Sequence, residues 1–440
     1  MTATMPPDTT VRSIPIRWRI LALIVLASFV SYALRTNMSI VGEAMITDLG
    51  LTEVQLGMVF SAFAAGYAIF QFPAGVFGGR VGSRVAIATV VVVWGVLNIA
   101  TGLVPGSNVA SVGLIVASLI AVRFLVGVFH APIFPVTGGT VADWFPVGRW
   151  GLPLGLGSTG LTLGAAATAP LVVWLVDLYG WRGSFFVTAP VVFLLAGVWW
   201  WYVRDYPKDH PRVGPRELAL IDANRPPPRP HSESKGAWKD VLKNRDILLL
   251  TLSYFCMNYV FYLFFNWFFF YLVDVKGFTG QEAGWLTGAL WVVGAIGATL
   301  GGFACDGMIA RFGLRRGPRY LTIASLIFCA AFLVLGATAT TATMTVSLFC
   351  ICFGFTQLTE AAYWSTTIAI AGRHASTACG VLNTGGNAVG FLGGMLVPLT
   401  AKYFGWVAAI SMGAVFAVVA AVLWLFIRGD RPMADDGVRS

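Results

Sequence analysis

The chain has 440 residues, of which 57% are hydrophobic and only 11% charged, with a mean hydropathy of +0.77. A soluble domain carries roughly a quarter charged and 45–50% apolar residues, so soluble enzymes and disordered chains are excluded. The net charge of +9 does not imply nucleic acid, because Lys and Arg gather in the cytoplasmic loops of membrane proteins.

The polar start, residues 1–19, carries Arg12, Arg17 and Arg19 and leads into a long apolar stretch with no small-residue cleavage site. This reads as an uncleaved first span behind a short tail, not a signal peptide. A transmembrane helix needs about 20 mostly apolar residues. Such windows run over 20–41, 55–78, 84–104, 109–134, 152–176 and 181–203. After a polar stretch, six more cover 246–273, 283–305, 319–338, 342–370, 377–402 and 405–427. The expected fold is all-α and membrane-integral, with twelve transmembrane helices in two pseudo-symmetric six-helix bundles, 20–203 and 246–427.

Between the bundles, 204–245 reads as a hydrophilic linker with ten Lys/Arg, a proline tract at Pro226, Pro227, Pro228 and Pro230, and a short surface helix around Glu217 to Ile221. Residues 428–440 form a polar tail. With both termini cytoplasmic, Arg182, Lys276 and Lys402 lie outside, two arginines lie within spans, and the remaining 24 of the 29 basic residues lie inside. That bias sets the topology of a multi-pass protein of the inner membrane.

The halves echo each other. Gly160 and Gly164 recur 226 residues later as Gly386 and Gly390, Pro170 recurs 228 later as Pro398, and Gly75 to Arg80 recurs 227 later as Gly302 to Gly307. Each glycine pair alone fits ordinary close packing of membrane helices, but the shared offset points to two six-helix repeats around a midplane site, the plan of a secondary transporter. The six cysteines lie in or beside apolar runs without disulfide or zinc spacing; neither metal nor cofactor is expected.

Charges inside the membrane are costly and mark pathways or partners. Of twenty acidic residues, Glu360 alone sits deep in a span. Against it stand Arg35 in span 1, Arg123 toward the cytoplasmic end of span 4, and His130 two turns further along. Arg35 either pairs with Glu360 or backbone carbonyls, or binds a substrate anion through two parallel hydrogen bonds. Arg123, near the membrane edge, suits a structural or gating role. His130 shares the helical face of Arg123 and is either a proton carrier or a neutral, hydrogen-bonded core residue. Glu360 is either the proton-coupling carboxylate or the partner of an arginine. Tyr32, Asn37, Tyr67, Tyr262, Asn266, Trp364, Asn383 and Asn387 are further substrate-binding candidates, the last two asparagines sharing a face at i, i+4.

These motifs resemble the major facilitator superfamily, and within it the anion:cation symporters of organic anions, over nearly the whole chain. The residues that carry the likeness are Tyr32-Ala33-Leu34-Arg35-Thr36-Asn37-Met38-Ser39 in span 1, Arg123 to Pro135 in span 4, Trp144-Phe145-Pro146, Tyr179-Gly180-Trp181-Arg182, and Gly380 to Asn387 in span 11. The resemblance implies that Arg35 holds the substrate carboxylate and that Arg80, Asp306 and Arg311 belong to the gating loops. The first loop motif, Gly75 to Arg84, has Gly79 at the usual aspartate, whereas its second copy keeps the acid as Asp306. Leu34 and His130 stand where bacterial sugar-acid members have their two proton-coupling carboxylates, so His130, with help from Glu360, is the candidate replacement.

The expected function is uptake of a small organic anion, such as a hexonate, hexuronate or another carboxylate, by proton symport through alternating access. The alternative is a facilitator or exchanger of organic anions, for instance aromatic acids or dicarboxylates, without proton coupling. An enzyme would need paired acid and base groups or metal ligands, and a channel a lined, oligomeric pore. The expected partners are the anion, H+ and membrane lipid, for a monomer that binds no nucleic acid.

Overall fold

The structure, a computed structural model, describes residues 14–223 and 237–433. The proline tract and the outer parts of both tails lie outside the described residues. Every element among the described residues is helical. In chain order these are α1 (Ile16–Leu49), α2 (Glu53–Val81), α3 (Ser83–Gly102), α4 (Val112–His130), α5 (Ile133–Trp144), α6 (Gly151–Tyr202), α7 (Pro215–Asp222), α8 (Ala237–Lys243), α9 (Arg245–Phe270), α10 (Gly280–Thr338), α11 (Ala342–Leu358), α12 (Glu360–Ala371) and α13 (Ala375–Trp424). Helices satisfy their backbone groups internally, which a bilayer core demands of any lipid-facing segment. Large apolar side chains such as Leu194, Trp201, Phe303 and Val415 point outward, where lipid takes the place of water.

Nine helical stretches among the described residues are long and apolar enough to cross a membrane. Three helices are far longer than a bilayer, and each contains one residue outside helical geometry: Gly180 in α6, Gly313 in α10 and Gly405 in α13, all with φ between 69° and 83°. Only glycine enters that region without a Cβ penalty. At 1.5 Å per residue, the 59 residues of α10 amount to about 88 Å, so the break at Gly313 is where the chain changes direction. The Tyr179 to Arg182 motif serves such a break. Beyond Gly180, Trp181 Nε1 donates to Asp48 Oδ2 at 3.0 Å and the Arg182 guanidinium pairs with the same carboxylate. Those hydrogen bonds, Arg182 first, hold Asp48 below its usual carboxylate range. Its contribution to stability is therefore present at neutral pH and is lost as acid protonates it.

The glycines spaced 226 apart do equivalent work. Gly160 and Gly164 of α6 meet Val25 and Phe29 of α1, and Gly386 and Gly390 of α13 meet Tyr254 and Tyr262 of α9. A Cβ on Gly164 would stand 2.4 Å from the carbonyl oxygen of Phe29, a backbone atom that cannot swing aside. Gly164→Val is expected to destabilise by about 3 kcal/mol or more, since overpacking typically costs 1–3 and backbone has no rotamer to yield. The check is the yield of monodisperse protein and its thermal midpoint in detergent.

The linker fastens one end of the molecule. Glu217 of α7 accepts hydrogen bonds from the backbone N–H of Ile16 and Arg17, both at 3.0 Å, placing an acid at the positive start of α1. Asp205 does the same for α3, accepting from Arg84 N at 2.8 Å. At this linker end the two halves touch closely. Gly75 of α2 lies against Ser376 and Gly380 of α13, and Gly151 and Gly155 of α6 lie against Ala298 and Gly302 of α10. Asp306 accepts from the N–H groups of Gly151 and Leu152 at 2.7 and 3.0 Å.

Span 4 differs from its sequence reading. The window 109–134 ends at residue 134, yet α4 continues beyond Ala131 and Pro132 into α5, giving one apolar stretch of 33 residues, Val112–Trp144, long enough to cross a membrane. Arg123 lies in the first half of that stretch and is buried in the protein, 4% exposed.

Candidate functional site

A cavity opens between the halves, between packed helices, where small-molecule sites of helical bundles lie. Tyr32 of α1, Tyr67 of α2, Tyr262 of α9, Glu360 and Trp364 of α12, and Asn383 and Asn387 of α13 line it. Asn37 and Asn266 do not: Asn37 is buried away from it with both amide atoms unpartnered, and Asn266 is exposed. Tyr254, Asn258, Ser28 and Ser158 also line the cavity and were missed. The 254, 258, 262 spacing puts the first two on the face of Tyr262, a signal that was available.

Arg35 packs against the tyrosine wall from behind and does not itself line the cavity. Its guanidinium carbon lies 4.9 Å from the ring centre of Tyr67, 5.2 Å from Tyr32, 5.5 Å from Phe63 and 5.6 Å from Phe265. Four π faces stabilise a cation that meets no carboxylate among the described residues. Its Nη1 donates to Tyr32 Oη over a long 3.3 Å. Rings lower the cost of the charge without consuming its N–H donors, which suits the group to an incoming anion.

Glu360 begins α12, where the chain restarts helix after the break at Thr359. Its Oε2 accepts from Tyr254 Oη and from Trp364 Nε1, each at 3.0 Å, while Oε1 has only a 3.3 Å contact to Tyr254. Indole N–H is a donor only, so these bonds fix the carboxyl group and leave Oε1 the freer oxygen. No ion pair joins Glu360 to Arg35 or Arg123 among the described residues.

His130 is 1% exposed and is absent from the cavity wall. Its Nε2 shares a 2.7 Å hydrogen bond with Ser31 Oγ, its ring stacks on Trp94 at 4.5 Å, and the edges of Phe63 and Tyr67 complete the box. A relay of amides runs along the cavity wall. Tyr262 Oη donates to Asn387 Oδ1 at 2.6 Å, Asn387 Nδ2 donates to Asn383, and Asn383 Nδ2 donates to Gln71 Oε1 at 2.7 Å. The last bond joins α13 to α2 across the halves. Gln357 also faces the cavity, with a buried Oε1 that has no partner.

The loop motifs are unequal. Arg80 and Arg311 are exposed, Arg311 lying over the ring of Phe312. Asp306 is the member that engages, through the start of α6. In the first copy Gly79 faces Thr377 at the start of α13 and brings no charge to it. Asp306→Asn is expected to weaken the linker-end contact by about 0.5–2 kcal/mol, the worth of a partly buried acid at a helix start. Cys379, fully buried across that contact beside Gly138, reports it. Its alkylation rate, followed by mass spectrometry, rises severalfold in the variant.

The sequence profile of the Major Facilitator Superfamily matches residues 24–394. The chain belongs to that superfamily. It is 30% identical over 395 residues to a probable sulfoacetate transporter, SauU, of Cupriavidus necator, covering 88% of this chain and 89% of that one. It is 34% identical over 299 residues to a probable galactarate/D-glucarate transporter, GudP, of Bacillus subtilis, covering 66% and 65%, and 28% identical over 413 residues to the hexuronate transporter of the same organism, covering 92% and 93%. Among solved structures, the proton:xylose symporter XylE superposes with a TM-score of 0.73 at 13% identity, covering 95% of this chain and 98% of that one. At that identity the likeness concerns the fold: an all-α, multi-span membrane protein of this superfamily. No group of three or more His, Cys, Asp or Glu that could hold a metal occurs among the described residues.

Proposed function

We propose that this protein is a secondary transporter that takes up a small organic anion, a sugar acid or another carboxylate, together with a proton, by alternating access. The carrying observation is Arg35, a guanidinium caged by four aromatic rings beside the central cavity with no carboxylate to neutralise it. The names of the relatives, transporters of sulfoacetate, galactarate, glucarate and hexuronate, agree with an anionic substrate. The reading takes the breaks at Gly180, Gly313 and Gly405 as turns between spans, which gives twelve helices in two groups of six. It places the linker end in the cytoplasm, and the contacts of Gly75, Gly151 and Asp306 there are those that part when the cavity opens inward.

Glu360 supplies the proton site in this reading. It lines the cavity and keeps one oxygen available, whereas His130 is enclosed behind Tyr67 and serves to position the wall. The substitution of carboxylates by Leu34 and His130 favours a second reading, uncoupled facilitation or exchange. Proteoliposomes decide between them. Uptake of labelled glucarate, galactonate or glucuronate is expected to accelerate when the outside is acidified and to lose that acceleration when a protonophore is added. Uptake indifferent to the gradient establishes the facilitator, and no uptake of any acid overturns the anion site.

A further inference from the structure

The two halves meet the cavity with opposite hydrogen-bonding character. The first half brings the Arg35 cation up behind Tyr32 and Tyr67. The second half brings acceptor oxygens. Glu360 is the one carboxylate among the described residues that line the cavity; Trp364 Nε1 and Tyr254 Oη donate to its Oε2, and Oε1 keeps only the 3.3 Å contact to Tyr254. Gln357, three residues before it and 2% exposed, lines the same cavity with an Oε1 that has no partner. Asn258 commits its Nδ2 to the backbone carbonyl of Tyr254 at 2.9 Å, which leaves its Oδ1 as an acceptor on this wall.

A buried acceptor without a donor is costly, and a carboxylate within a membrane span is costlier still. No cation pairs with Glu360 among the described residues. A ligand hydroxyl would meet one of these oxygens and leave the charge untouched. A primary ammonium carries three N–H donors, no acceptor and a positive charge, so it answers Glu360, Gln357 and Asn258 in both number and sign. The rings of Tyr254 and Trp364 stand edge to face at 6.3 Å beside the carboxylate they hold, and such π faces favour a cation further.

Resting on the proposed anion site at Arg35, we infer that Glu360, Gln357 and Asn258 form an ammonium subsite, and that the protein accepts zwitterions: carboxylates that carry a primary amine at the far end of the molecule. The ammonium meets the charge on Glu360 that a proton meets when the substrate is a plain acid, so the two are alternatives at one carboxylate.

The test is thermal stabilisation of the detergent-purified full chain at pH 7.5, where amine and carboxyl groups of the probes are both ionised. The probes are 4-aminobutyrate, 5-aminopentanoate and 6-aminohexanoate, each titrated against the unsubstituted acid and the terminal hydroxy acid of the same length. For at least one length the amino acid is expected to reach half-saturation at a concentration at least tenfold below both of its counterparts. Glu360→Gln, which keeps an acceptor and removes the charge, brings that ratio close to one, and Gln357→Leu lowers it severalfold. A hydroxy acid that binds as tightly as the amino acid at every length overturns the inference, as does a preference for the amine that survives in Glu360→Gln. Should Glu360→Gln fail to fold, the wild-type ratios and the Gln357→Leu ratio decide the matter by themselves. Equal binding of all three classes, abolished by Arg35→Gln, removes the ammonium subsite and leaves the anion site standing. Pentylamine that binds as tightly as 5-aminopentanoate, in the wild type and in Arg35→Gln alike, does the reverse. If no probe stabilises the protein, both fail.

Discussion

Replacement of Arg35 by alanine is expected to abolish uptake and ligand-induced stabilisation while leaving the fold intact. Truncating one partner of a buried, hydrogen-bonded charge pair costs about 2–5 kcal/mol, which corresponds to a loss of affinity of roughly 30-fold to several thousandfold. The fold should not share that loss. Arg35 meets no carboxylate among the described residues, and its hydrogen bond to Tyr32 is long at 3.3 Å, so removing it takes an unpaired cation out of the protein interior. Arg35→Lys separates charge from geometry. An ammonium fits within the same rings but lacks the planar fork that holds both oxygens of a carboxylate, so the lysine variant is expected to bind weakly and to discriminate poorly among acids. Radiolabelled uptake, paired with the thermal midpoint of each variant, measures both effects. Wild-type uptake by the alanine variant would remove the anion site from Arg35.

The spans could be read from the sequence wherever an apolar window was uninterrupted. Span 4 was read as 109–134, whereas the chain carries helix on through Trp144 after a break of two residues. Glu360 stood out as the acid within an apolar run, but its partners did not: Tyr254 lies 106 residues away on another helix, and no local pattern encodes such a meeting. The asparagines show what local pattern does encode. Asn383 and Asn387 identify each other's face by their i, i+4 spacing and lie together on the cavity wall. Asn266 shows its limit: it follows the cavity-lining Tyr262 by four residues and is nevertheless exposed. Arg35 was legible as a charge; its cage was not, since its four rings come from α1, α2 and α9.

Glu360→Gln is expected to uncouple transport from the proton gradient. Glutamine reproduces a protonated carboxyl group in size, and its carbonyl oxygen can still accept from Tyr254 and Trp364 while its NH2 takes the position of the freer oxygen. It cannot lose or gain a proton. If Glu360 carries one proton per cycle, a gradient of one pH unit supplies about 1.4 kcal/mol, and the wild-type protein concentrates its substrate up to about tenfold further for each unit of acidity outside. The glutamine variant loses that increment. Exchange of labelled for unlabelled substrate across the same vesicles requires no net proton movement, so it continues in the variant, and this separates uncoupling from misfolding. His130→Gln is the control. An amide of similar reach can keep a hydrogen bond to Ser31 but gives up the stack on Trp94, so it is expected to slow transport while preserving its dependence on pH. Should His130→Gln flatten the pH profile and Glu360→Gln leave it unchanged, the proton travels through the first half of the molecule and Glu360 is a positioning residue for Trp364 and Tyr254.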